Sequence, residues 1–157
     1  MNDLAGKRNG PSLKARAIAY LSRREHSRLE LRRKLSAYSD DPAEIDAVLD
    51  TLQREHWQSD TRYAQAYVHR KSAAQGALRI MQSLRQQGVD DAELASLRHQ
   101  LQGSELERAY AVWQRRFGAM PVDARDHARQ YRFLAGRGFS ADCIRRVLAG
   151  TARPEDS

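Results

Sequence analysis

The chain has 157 residues, about one ordinary domain, and its 27 Lys/Arg against 20 Asp/Glu leave a formal net charge of +7. A single cysteine, Cys143, excludes an internal disulfide framework and a four-cysteine zinc site. The longest apolar runs, such as Ala17–Leu21, reach five residues, where a membrane span needs about 20, and Met1–Ser12 is polar with no apolar signal segment, so the expectation is a basic protein of the reducing cytoplasm.

Arg, Leu, Ala, Gln and Glu dominate, all good helix formers, and strand-like alternation of β-branched residues is nearly absent. The pattern predicts about nine short helices. The first, over roughly 13–24, carries Leu13, Ala17, Tyr20 and Leu21 on one face. The second starts at Ser27, a cap to which Glu30 reaches back in a capping box. Asp41-Pro42 opens the third, an N-cap followed by proline at the first helical position, with Ile45, Val48, Leu49 and Leu52 as its apolar face. Asp60, Asp90 and Ser140 read as further N-caps, and Gly88 and Gly138 as C-terminal stops.

The same pattern recurs along the chain. Leu35, Leu84 and Leu134 stand 49 and 50 residues apart, and each is followed ten residues on by Ile45, Leu94 or Ile144 and thirteen on by Val48, Leu97 or Val147. The preceding helices match as Ala17-x-x-Tyr20-Leu21, Ala64-x-x-Tyr67-Val68 and Ala109-x-x-Val112-Trp113, the third copy carrying an insertion at Gly118–Asp123 around Pro121. The expected fold is all-α: three tandem three-helix repeats, elongated and modular, over 13–57, 58–103 and 104–150, with polar tails at 1–12 and 151–157. Units this small must share apolar surface with their neighbours. Tyr20, Tyr63, Tyr67, Tyr110 and Tyr131 lie at helical spacing beside Ala and Leu, which makes them packing residues rather than base-stacking platforms.

Charge is banded on these repeats. Residues 1–36 hold ten bases and three acids, 37–60 one base and seven acids, 61–88 five bases and no acid, 89–107 one base and five acids, and 108–157 ten bases and five acids. Stacked in a common orientation, the repeats would show a basic stripe, the footprint of a nucleic-acid binder, and opposite it an acidic stripe suited to a basic protein. The plain alternative is that charged helices only solvate their outer faces.

Catalytic signatures are missing from the sequence. There is no phosphate-cradling GxxxxGK[ST] loop, and Gly136-Arg137-Gly138 is a fragment that follows no strand. His26, His56, His69, His99 and His127 have no i, i+4 partner, Ser27 is a helix cap, and Cys143 reads as a packed thiol. Asp40-Asp41 and Asp90-Asp91 lie at helix starts, where they favour the dipole. The expectation is a protein with no catalytic, cofactor or metal site, not an enzyme.

Three stretches resemble a known family. Tyr20-Leu21-Ser-Arg-Arg24 through Lys34-Leu35 is similar to the first repeat of the RecX family of bacterial recombination regulators. Trp57-Gln-Ser-Asp60 through Arg70, then Gly76-Ala-Leu-Arg79-Ile80, Leu84 and Gly88-Val89, resemble its second repeat. Arg129-x-x-Arg132-Phe133-Leu134-Ala-Gly-Arg137-Gly138-Phe139 resembles its last, while Ser36–Ser39 and Glu55-His56 depart from the family at loop glycines. The resemblance implies three three-helix repeats and a monomer that binds the RecA recombinase filament on single-stranded DNA, and duplex DNA weakly. It implies lodging in the filament groove and restraint of ATP hydrolysis, strand exchange and co-protease activity. It also places Arg24, Lys34, Arg70, Arg79 and Arg137 among the RecA- and DNA-binding candidates. Arg70 and Arg79 stand out because no acid lies near them in sequence, whereas Phe139 reads as core. Competing readings are a sequence-tolerant or helix-turn-helix DNA-binding protein without a recombinase partner, and a helical-repeat scaffold for peptides.

Overall fold

Helix starts are set by short polar side chains that satisfy the orphan backbone donors. Ser12, Ser27, Asp41, Asp90 and Ser140 accept from the backbone N–H groups of Ala15, Glu30, Ala43, Glu93 and Cys143. Pro42 follows Asp41 at the first helical position, as expected. The computed structural model describes residues 10–151; residues 1–9 and 152–157, and so most of both tails, lie outside the described residues. The described residues form nine α-helices: α1 (Leu13–Leu21), α2 (Arg28–Leu35), α3 (Pro42–Arg54), α4 (Asp60–Lys71), α5 (Ala77–Gln86), α6 (Asp91–Gln102), α7 (Glu105–Arg116), α8 (Ala124–Gly136) and α9 (Ala141–Leu148). No strand occurs among them, so the chain is an all-α repeat fold.

Two boundaries differ from expectation. Helix α1 stops at Leu21, short of residue 24, because Ser22 closes it: its hydroxyl donates to the Ala19 carbonyl at 2.7 Å and its N–H to Ile18. Asp60 does not cap α4 but is its first residue. Its carboxylate accepts instead from the Arg28 N–H, at the start of α2, and from Gln58 Nε2, both at 2.9 Å.

The repeat anchors are core. Leu35, Leu84 and Leu134 are fully buried, and each belongs to a different apolar cluster. Ile45, Leu94 and Ile144 join the same three clusters, as do Leu97 and Val147, while Val48 packs half-buried against the first. Phe139 is buried in the third cluster.

The chain divides into two compact units, Met1–Asp60 and Thr61–Ser157. The first holds α1–α3. In the second, the second and third repeats are welded through main chain. The Gly76 N–H donates to the Arg137 carbonyl at 2.8 Å and the Leu78 N–H to the Gly138 carbonyl at 3.2 Å. The free donors at the start of α5 are thus met by the carbonyls that follow α8. A Cβ on Gly76 would overlap the Gly138 carbonyl, and one on Gly138 would fall on the Cβ and backbone nitrogen of Arg79. Glycine at both positions is what permits the backbones to meet.

Two polar residues on one face of α7 complete the weld. Buried Glu105 accepts from the Ala77 N–H at 3.3 Å, adding a carboxylate to the α5 N-terminus. Arg108, one turn on, donates to the carbonyls of Ser72 (2.8 Å), Gln75 (2.6 Å) and Leu101 (3.2 Å) and to the Ser104 hydroxyl (3.0 Å). It saturates carbonyls past the end of α4 and at the end of α6 with one fixed fork of donors. Partial burial pulls its pKa below the usual arginine range, against the opposing pull of Glu105.

Candidate functional site

In the first unit several bases of α1 and α2 are spent on acids of α3 and its C-terminal cap. Arg28 pairs with Asp50 at 2.7 Å, Arg32 with Asp46 at 2.9 Å and Lys14 with Glu55 at 2.8 Å. The acidic helix α3 therefore faces the basic α1 and α2, and the separate acidic stripe expected from the charge bands does not form there. Pairs this exposed contribute about 0–1 kcal/mol each, yet they neutralise the surface.

Arg24 and Lys34 gather around a histidine. Arg24 holds the Glu30 carboxylate at 2.7 Å, and the Lys34 ammonium lies 4.9 Å from the centre of the Tyr20 ring. Between them His26 is only 3% exposed, with Nδ1 3.0 Å from the Arg24 carbonyl and its ring against Tyr20. Burial first, then the Arg24 and Lys34 charges, hold its pKa below the ordinary 6.5, while Glu30 and the carbonyl pull the other way. The unfolded chain therefore takes up a proton at a pH where the folded one does not. The first unit should keep this stability above pH 6.5 and lose it as pH falls from 6.5 through the lower folded value. Hydrogen-exchange protection of the Leu31 and Leu35 amides, compared at pH 7.5 and 5.5, should drop in the parent and change less in His26→Gln.

The second unit is different. Arg70 is exposed, its guanidinium 5.4 Å from the Tyr67 ring centre. Arg79, although exposed, has a structural use the sequence did not suggest: its Nη1 donates to the Gly136 carbonyl at 3.0 Å. Arg137 gives its carbonyl to Gly76 and lays its guanidinium 5.1 Å from the Phe133 ring centre. The weld thus brings Arg79 and Arg137 together, while Arg24 and Lys34 belong to the first unit.

Two arginines missed in the sequence complete the surface. Arg115 Nη2 donates to the Ala73 carbonyl at 3.0 Å, and Arg116 lies 5.3 Å from the Phe133 ring centre. With Ala74, Val112, Phe133 and Arg137 they line a cleft of about 300 Å³. As a pair at the end of α7 they resemble ordinary dipole-compensating bases; nothing local ties them to a ring 17 residues on. Among the described residues no carboxylate forms an ion pair with Arg70, Arg79, Arg115, Arg116 or Arg137.

The remaining chemistry is structural. Burial pushes the Cys143 thiol pKa up, with Glu105 and Asp142 adding to it, which disfavours the reactive thiolate. Buried Gln130 takes the Trp113 indole N–H at 2.7 Å and donates to the Ala119 carbonyl at 3.1 Å, holding the insertion of the third repeat. Among the described residues no three His, Cys, Asp or Glu side chains are placed to hold a metal, and no helix is long and apolar enough to cross a membrane.

Comparison with known proteins agrees with this architecture. Residues 14–52, 59–95 and 104–148 match the family models described as the first, second and third three-helix domains of RecX. A protein of Ralstonia nicotianae named "Regulatory protein RecX" is 49% identical over 139 residues, 88% of this chain and 87% of its own. One of the same name from Leptothrix cholodnii is 49% identical over 145 residues, 92% of each chain. The crystal structure of RecX from Lactobacillus salivarius superposes with a TM-score of 0.74 at 21% identity, covering 88% of this chain and 94% of that one, which supports the fold. With all three repeats matched in order and about half the residues shared with relatives over most of their length, the chain belongs to the RecX family of regulatory proteins.

Proposed function

We propose that the chain is a monomeric cytoplasmic regulator that binds the RecA recombinase filament on single-stranded DNA. In this reading it restrains the filament's ATP hydrolysis, strand exchange and co-protease activity, without chemistry of its own. The observation that supports the reading is that, among the described residues, no carboxylate forms an ion pair with Arg70, Arg79, Arg115, Arg116 or Arg137 on the second unit, whereas Lys14, Arg28 and Arg32 of the first are paired. A surface of that kind suits phosphates and acidic side chains alike. Arg70, Arg79 and Arg137 are its proposed contacts, with Arg24 and Lys34 contributing from the first of the modules 13–57, 58–103 and 104–150.

Reversing Arg70 and Arg79 to glutamate together should raise the concentration needed to inhibit filament ATP hydrolysis by about tenfold or more, since like charges then face the ligand. Because Arg79 also holds Gly136, Arg70→Glu alone is the companion that leaves that bond intact. Naked DNA should bind modestly and without sequence preference, its affinity falling with salt by a log–log slope of about 0.7 per phosphate contacted on single strands. A double variant that folds and inhibits like the parent would remove this surface from the interface. Tight, sequence-dependent duplex binding with no filament binding would favour a DNA-binding protein without a recombinase partner.

A further inference from the structure

The cleft where the second and third repeats meet has a more specific chemistry than the basic surface around it. Its three guanidiniums are held in place before any ligand arrives. Arg115 is fixed by the Ala73 carbonyl, and Arg116 and Arg137 are laid against Phe133. A guanidinium seated on a ring keeps its in-plane N–H donors available, in the fork that matches a carboxylate. Each contact removes part of the side-chain freedom that binding would otherwise cost. Between the three cations lies an apolar floor made by Ala74, Val112 and Phe133.

That combination selects a ligand class. Single strands bind aromatic platforms by stacking bases on an open ring face. Phe133 already has Arg116 at 5.3 Å, Arg137 at 5.1 Å and the Phe117 ring at 5.4 Å from its centre, so it offers no platform. A phosphodiester would satisfy the arginines and leave the aliphatic floor unused. An acidic peptide uses both, and about 300 Å³ accommodates one or two side chains rather than a large ligand.

We propose that this cleft receives a short acidic segment of a protein partner, its carboxylates on Arg115, Arg116 and Arg137 and one aliphatic side chain against Ala74 and Val112. It rests on the proposed function only for the partner's identity.

The test needs no recombinase, so the two readings can fail separately. The full chain, labelled so that arginine Nε–Hε groups are seen by NMR, is titrated with a doubly blocked Glu-Asp-Val-Asp-Glu peptide. The Nε–Hε signals of Arg115, Arg116 and Arg137 should move together and saturate. The same peptide with Ser for Val should bind several-fold more weakly. An Arg116→Gln/Arg137→Gln variant should bind the Val peptide at least tenfold more weakly while its Trp113 indole signal stays in place. Absence of any shift up to millimolar peptide overturns the proposal, as does equal affinity for the Val and Ser peptides, which would mean charge alone. A hexathymidylate strand that moves the same signals at lower concentration than the peptide would make the cleft a phosphate site and overturn it too.

Discussion

Gly138→Ala is expected to destabilise the second unit by roughly 3 kcal/mol or more, combining left-handed strain of about 1–3 kcal/mol with an overlap costing a similar amount. Gly138 sits at φ +92°, where a side chain is disfavoured, and its added Cβ would meet the backbone of Arg79, which is no flexible tip. Each unit carries one tryptophan, Trp57 in the first and Trp113 in the second. Urea unfolding of a Trp57→Phe background therefore reports the second unit alone. With a denaturant slope near 1.5 kcal/mol per molar, the midpoint should fall by roughly 2 M. Gly76→Ala meets the same seam from the other side at an ordinary φ of −80°, so it isolates the overlap from the strain. A loss below about 0.5 kcal/mol in both variants would show that the two helix ends can separate cheaply.

Arg108→Met should be nearly as costly, roughly 3 kcal/mol, because it keeps the apolar stem and removes every donor at once. The carbonyls of Ser72, Gln75 and Leu101 then lose a charged partner together. Burial of the guanidinium is only partial, so water reaches some of these groups and the cost stays below that of a fully enclosed ion. The same Trp113 fluorescence measures it. Arg108→Lys serves as the discriminating companion: it restores charge but not the fork, and should recover less than half of the loss. Full recovery by lysine would mean that charge, not the shared geometry, holds the repeats together.

What the sequence made legible was what short spacing determines. Ser27, Asp41-Pro42, Asp90 and Ser140 were readable as helix starts because each acts within three residues of itself. The leucine anchors were readable because burial repeats with the period of the unit. Asp60 looked like another cap, yet its carboxylate works on an N–H 32 residues upstream. Arg79 looked unoccupied because the carbonyl it holds lies 57 residues downstream. The charge bands were real, but sequence could not say that α3 would turn its acids onto Arg28 and Arg32. The proposed binding surface is half visible in the sequence for the same reason: Arg70, Arg79 and Arg137 carry the family resemblance, whereas Arg115 and Arg116 acquire their setting only when Ala73 and Phe133 are brought to them by the fold.

The glycine seam also works as a ruler. Because the start of α5 is hydrogen-bonded to the turn after α8, the backbones that carry Arg79 and Arg137 ride on one body, and the range over which the two guanidiniums can separate is set by it. A ligand that engages both must present negative groups at a matching interval, and one that does not must bend or give up a contact. Selectivity then comes from distance rather than from any single contact, and the second contact forms at the high effective concentration of a rigid tether. If Arg79 and Arg137 are contacts as proposed, loosening the seam with every arginine left in place should blur that interval and leave a merely positive surface.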